Sequence, residues 1–234
     1  MDPARNPQPP AAAKRTLAIG DIHGCNTALT ALLNAVGPTS TDRLVFLGDY
    51  IDRGPESRQV IESLLDLKKV CAPVYLRGNH EAMILEARED SLKDQLWQSY
   101  GGLDALFSYG ANYRPDWVEL IPFDHWAFFE GTKRFFETDS TIFIHACLDP
   151  DLDMEAQPER LLYWESFDRL RPHKSGKKII CGHSPQRSGR IKDVGFAACI
   201  DTGVATGGWL SCLEINSGKY WQANEKGDTR DGVL

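Results

Sequence analysis

From Thr16 onward the chain repeats one pattern: a short apolar run, a polar loop led by glycine, then an apolar stripe at helical spacing. Residues 16–19 read as a strand ending at Gly20, and 27–36 as a helix stopped by Gly37-Pro38. The unit then recurs. Residues 44–47 are a second strand before Gly48, 57–69 a helix with Val60, Ile61, Leu64 and Leu65 on one face, and 74–76 a third strand before Arg77-Gly78. Such alternation predicts parallel strands joined by right-handed crossovers. Residues 82–131 turn to helix and aromatics (Trp97, Tyr100, Phe107, Tyr109, Trp117, Trp126, Phe128), the make-up of a packed cap. Strands follow at 141–144, 178–181, 196–200 and 209–215, with Gly203 and Gly207-Gly208 between the later ones, which predicts an antiparallel, hairpin-like C-terminal sheet. Residues 1–15 read as a disordered Pro/Ala-rich tail and 225–234 as a polar, frayed C-terminal tail, leaving 16–224 as one domain without repeat or linker.

Charge narrows the partners. Thirty-three acidic against 26 basic residues give a net charge of −7, which argues against a nucleic-acid-binding face. The basic stretch from Lys174 to Lys178 is short and reads as a solvated turn. No apolar run approaches the roughly 18 residues of a membrane span, so no membrane partner is expected. The first fifteen residues carry no apolar core of a secretory signal. Six cysteines without CxxC spacing, four of them (Cys71, Cys181, Cys199, Cys212) in or beside apolar runs, read as reduced thiols of a cytoplasmic protein. Cys25 and Cys147, beside candidate site residues, read as small space-filling side chains.

The chemistry gathers at strand ends. Three loops leave their strands as Gly20-Asp21-Ile22-His23-Gly24, Gly48-Asp49-Tyr50-Ile51-Asp52-Arg53-Gly54 and Gly78-Asn79-His80-Glu81. Open parallel sheets bind ligands at the carboxyl ends of their strands, so the loops should converge. His145 and Gly182-His183 follow later strands, so four of the six histidines take strand-end positions among Asp21, Asp49 and Asn79. Acidic and imidazole groups crowded in this way call for compensation, which divalent metals supply. Nitrogen and carboxylate donors together suit Mn²⁺, Fe²⁺ or Zn²⁺.

In that order, GDIHG, GDYIDRG and GNHE resemble the signature of the metal-dependent phosphoprotein (serine/threonine) phosphatases, and the segment from Trp97-Gln98-Ser99-Tyr100-Gly101-Gly102 through Ser108-Tyr109-Gly110 resembles the cap of bacterial and phage members. The resemblance runs from about Thr16 to Gln222. It implies an α/β chain with a central two-sheet β-sandwich flanked by helices, the calcineurin-like metallophosphoesterase fold. It also implies two divalent metal ions, Mn²⁺ foremost and Fe²⁺ or Zn²⁺ as alternatives. Asp21 and His23 would bind the first ion and Asp49 would bridge both, with Asn79, His145 and His183 completing the second. Arg53 and Arg77 would hold phosphate oxygens, and His80, oriented by Asp52, would face the leaving group. Two dications less two carboxylates and one hydroxide leave the centre at +1, which suits a phosphate dianion attacked directly by metal-bound hydroxide. The implied substrates are phosphoserine and phosphothreonine in proteins, with small phosphate esters. A dinucleoside polyphosphate hydrolase on the same metal core is the nearest alternative, and a non-catalytic binding module would show an eroded ligand set. One departure stands out: Leu161-Leu162-Tyr163-Trp164-Glu165-Ser166 lacks the phosphate-binding arginine that many relatives carry there, leaving Arg160, Arg169 and Arg171 as candidates.

Overall fold

The computed structural model describes residues 15–234, so the expected tail at 1–15 lies, Arg15 apart, outside the described residues. In chain order come β1 (Thr16–Ile19), α1 (Asn26–Val36), β2 (Arg43–Phe46), α2 (Ser57–Leu67) and β3 (Val74–Tyr75). The cap supplies α3 (Asn79–Ala87), α4 (Ser91–Trp97), α5 (Leu103–Ser108), α6 (Trp117–Leu120) and α7 (Phe123–Glu130), with a π-helical turn at Gln98–Gly102. Then follow β4 (Phe136–Glu137), β5 (Thr141–Phe143), α8 (Glu159–Trp164), β6 (Lys178–Cys181), β7 (Lys192–Asp193), β8 (Ala197–Cys199), β9 (Leu210–Glu214), β10 (Lys219–Ala223) and β11 (Thr229–Val233).

Among the described residues the strands form a six-stranded sheet, β11-β10-β9-β1-β2-β3, and a five-stranded sheet, β4-β5-β6-β8-β7. β1, β2 and β3 are parallel, as are β5, β6 and β8. Alternation along each strand builds the layers. Ala18, Val45 and Leu47 meet Phe143, Ile180, Ala198 and Ile200 between the sheets. Leu17, Ile19, Leu44 and Phe46 face outward onto α1, α2 and the cap. On the other side Ile142, Ile179 and Cys199 pack against Leu162, Phe167 and Leu170. The two-sheet sandwich flanked by helices that the resemblance implies is thus present. α1 stops where Gly37 turns left-handed and donates its N–H to Leu33. The cap aromatics pack largely as expected: Trp97, Tyr109, Trp117, Trp126 and Phe128 are buried, whereas Tyr100 and Phe107 are half exposed. All six cysteines are buried and unpaired. No helix among the described residues is long and apolar enough to cross a membrane.

Two expectations are corrected. The strand read at 196–200 is not part of the C-terminal hairpin sheet; β8 pairs in parallel with β6 in the other sheet, because its small, uncharged residues are buried on both faces. The end at 225–234 is not a frayed tail either. Its last residues form β11, paired antiparallel with β10 from Lys219↔Val233 to Ala223↔Thr229. An edge strand needs only backbone pairing, so polar composition does not exclude it, and the Arg230 guanidinium lies 4.1 Å from the Trp209 ring centroid.

Arg15 fastens the start of β1 to the loop before β2. Its Nε and Nη2 donate to Asp42 Oδ1 and Oδ2 at 3.0 and 2.6 Å, and Nη2 also donates to the Gly37 carbonyl. The hydrogen bonds from Arg15 outweigh burial and hold the Asp42 carboxyl down to about 2. The stabilisation is complete above the ordinary carboxylate range and is lost as pH falls through that lowered value. Asp42→Asn is expected to cost about 2 kcal/mol at pH 6 and about half that at pH 3 in urea unfolding. An equal cost at both pH values would assign the loss to packing instead.

Candidate functional site

The carboxyl ends of β1, β2, β3, β5 and β6 lie along one edge of the sandwich, and their loops are stitched together by backbone bonds. Ile22 N and His23 N both donate to Asp49 O (2.9 and 2.8 Å), and Gly24 N donates to Tyr50 O (2.8 Å). These loops are bent hard. His23, Asp49, Asp52, Arg53 and His183 all take positive φ, between 48° and 73°. Five non-glycine residues in the left-handed region, at about 1–2 kcal/mol each, mark a place where geometry is held against local preference.

The side chains assembled there share one property: they present acceptors to one another. His145 Nδ1 donates to the Leu47 carbonyl at 2.9 Å, which leaves Nε2 as a lone pair by assignment of the tautomer. That nitrogen lies 3.0 Å from Asn79 Oδ1, 3.2 Å from His183 Nδ1 and 3.5 Å from Asp49 Oδ1. His183 Nδ1 is also 3.0 Å from Asn79 Oδ1. On the far side of Asp49, His23 Nε2 is 3.5 Å from Oδ2, with its Nδ1 bonded to Ile51 O at 3.0 Å. Burial pushes His145 down to about 4 and His23 down to about 3, so both rings are neutral near pH 7. The unprotonated His145 Nε2 faces the acceptor oxygens of Asn79 and Asp49, which is repulsive until a cation enters, whereas His23 Nε2 is met by the Arg53 guanidinium at 2.8 Å.

Asp21 makes the same point. Its Oδ2 accepts from His183 N at 2.9 Å, while Oδ1 is buried without a hydrogen-bond partner. Burial, reinforced by Asp201 and Asp49, pushes its carboxyl well above the usual range; an adjacent dication would reverse that. The backbone makes room for these carboxylates. A Cβ at Gly182 would sit 2.0 Å from Asp21 Oδ1, and one at Gly78 would sit 2.1 Å from Asp49 Oδ1. Two triplets of ligand atoms, His23/Asp49/His80 and Asp49/His145/His183, each lie within 4.8 Å and share Asp49. The residues present therefore fit a metal pair.

Residues 14–207 match the calcineurin-like phosphoesterase family. The chain belongs to that family. Its members use a dinuclear divalent metal site, the arrangement that the acceptor cluster fits. The chain is 41% identical to serine/threonine-protein phosphatase 1 of Salmonella typhimurium over 84% of this chain and 90% of that protein. It is 29% identical to a symmetrical bis(5'-nucleosyl)-tetraphosphatase of Coxiella burnetii, over 66% of this chain and 48% of that one. It thus spans about half the length of those curated relatives. A solved structure described as a putative diadenosine tetraphosphatase superposes with a TM-score of 0.65 at 21% identity, covering 97% of this chain and 96% of its own.

Around this family centre His80 and Asp52 form a fully buried pair, Nδ1 to Oδ2 at 2.6 Å. His80 Nε2 is left without a partner, 4.0 Å from Asp49 Oδ2. Burial alone would lower the ring, but the Asp49 and Asp52 carboxylates outweigh it and raise it. Arg53 reaches in from the exposed side, its Nη1 2.8 Å from His23 Nε2. Arg77 donates its Nε and Nη2 to Thr132 Oγ1 and to the carbonyls of Phe129 and Glu130 at the C-terminal end of α7, while Nη1 takes no part in these bonds. Of the substitute candidates, Arg160 and Arg169 face Glu165 at 3.5 and 3.6 Å, and Arg171 donates to the Leu170 carbonyl.

Two residues escaped the reading by type and spacing. Trp97, fully buried in the cap, donates its indole N–H to Asp52 Oδ2 at 2.8 Å. Glu81, also fully buried, accepts from Asp49 N, Tyr50 N and Gly78 N at 2.8, 2.8 and 2.9 Å, tying the second loop to the third. Glu81 stood in the GNHE motif without a role; nothing in spacing marks a carboxylate that serves backbone donors. Glu81→Gln turns an amide N–H toward one of those donors, and a loss of about 2–3 kcal/mol in urea unfolding is expected. A loss below about 0.5 kcal/mol would show that the loops are held by other contacts.

Proposed function

We propose that the chain is a dinuclear-metal phosphomonoesterase acting on phosphoserine and phosphothreonine in proteins, and on small phosphate esters. The observation that carries the metal reading is the crowding of acceptors around Asp49 and Asn79, with Asp21 Oδ1 buried and unpartnered beside it. Asp21 and His23 would hold one ion and Asn79, His145 and His183 the other, with Asp49 shared, Mn²⁺ being the first candidate and Fe²⁺ or Zn²⁺ next. The protein-substrate reading is supported by 41% identity along 90% of the Salmonella phosphatase, where the symmetrical tetraphosphatase of Coxiella burnetii matches at 29% along 48% of its length and an asymmetrical one at 27% along 88%.

The metal pair, when bound, supplies positive charge for phosphoryl oxygens and a water acidic enough to attack phosphorus near neutral pH. The chain's own residues do the rest. Arg53, at the exposed rim, offers a guanidinium fork to the phosphate. His80 offers the proton on Nε2 to the leaving alkoxide oxygen, while Asp52 fixes the ring through Nδ1 and Trp97 fixes Asp52. Carboxylate and indole together keep the ring aimed at one place. Gly78 and Gly182 let the carboxylates close in without steric conflict.

A panel assay on metal-stripped protein, re-supplied with Mn²⁺, Fe²⁺, Zn²⁺ or Mg²⁺, tests the reading. Turnover of phosphoserine and phosphothreonine peptides above diadenosine tetraphosphate is expected, together with a thermal shift on Mn²⁺ addition that Asp49→Asn abolishes. Strong preference for the dinucleotide would move the chain to the second reading, a dinucleoside polyphosphate hydrolase, which the names of several relatives favour. His80→Asn is expected to lower turnover of alkyl phosphates about a hundredfold, and that of an aryl phosphate with an acidic leaving group much less, at unchanged metal content. Equal losses on both substrates would remove His80 from the proton-donor role.

A further inference from the structure

Beside His183 the surface opens into a cleft of about 460 Å³ between α8 and the loop after β6, lined by Trp164, Phe167, His183 and Arg187 among others. A second cleft of about 540 Å³ adjoins it, running past Ser188 to Trp209. Pro185 and Arg187 line both, so the two form one groove that starts at His183. Charge along it is uneven. In the first cleft Lys192 is paired with Asp168 at 2.8 Å. Arg187 is exposed, and no carboxylate among the described residues pairs with it. No acidic side chain lines the second cleft. On a chain of net charge −7, this is a local positive point beside the reacting centre.

Resting on the phosphoprotein reading, we propose that this groove holds the peptide flanking the phosphorylated residue, and that Arg187 selects substrates with an acidic side chain there. The arginines expected to bind anions nearby are engaged: Arg160 and Arg169 by Glu165, and Arg171 by a backbone carbonyl. Arg187 is left to meet the substrate. A long groove with one unpaired cation fits an extended peptide bearing a carboxylate near its phosphate. A polyphosphate, charged at every phosphoryl group, would call for a cation at each step.

The test compares kcat/KM for phosphothreonine peptides that differ only in an aspartate or alanine placed one to four residues to either side of the phosphate. Wild type is expected to prefer an acidic peptide on one side about three- to fivefold, as a partly exposed ion pair allows. That preference should shrink in high salt. Arg187→Ala brings the acidic-to-neutral ratio to about one, and Arg187→Glu inverts it. A ratio unchanged in both variants, or a wild-type ratio of one at every position, overturns the role of Arg187 while leaving the phosphatase reading standing. Absence of turnover on every phosphopeptide overturns both.

Discussion

The structure turns on a deficiency. Around Asp49, the His145 and His183 nitrogens and the Asn79 and Asp49 oxygens are brought within 3.0–3.5 Å of one another with more acceptors than hydrogens to share. Left alone, that arrangement is repulsive, and the fold has to hold it in place before any ion arrives. The means of holding it are visible in the positive φ angles of His23, Asp49 and His183, in the glycines pressed against carboxylates, and in the carbonyl caps on the far nitrogens of the rings. Rigidity at the centre is the condition under which the chemistry works, because a site free to relax would let its acceptors turn away from one another.

The cap belongs to the same constraint. Trp97 sits in the aromatic cluster with Trp117 at 5.1 Å, yet its one polar atom is spent on Asp52. Gly101, in the π turn that follows, accepts from Arg53 N at 3.1 Å. A segment that reads as packing therefore aims both the buried His80–Asp52 pair and the exposed arginine. Substrate-facing variation in the cap is restrained by these two bonds.

Much of this was legible in the sequence. Glycine-led loops at strand ends placed Asp21, His23, Asp49, Asn79, His145 and His183 together, since strand ends and tight turns are local properties. Pairing partners are not local. The residues of β8 read as a strand correctly, but nothing in Ala197–Cys199 says which sheet receives them. The polar residues of β11 hid a strand whose bonds are all main-chain. Arg77 illustrates the same limit: nothing at its motif position announces the carbonyls at the end of α7 that accept from it, more than fifty residues away in the chain.

The bond from His145 Nδ1 to the Leu47 carbonyl crosses from the five-stranded sheet to the six-stranded one. The reacting centre is thus also the seam of the sandwich, assembled only when both halves meet in register. A chimaera that took one sheet from a relative would have to import the ring and the carbonyl it bonds as a unit. Exchange of loops at the rim, which leaves that seam alone, is the route by which such a scaffold can acquire new substrates.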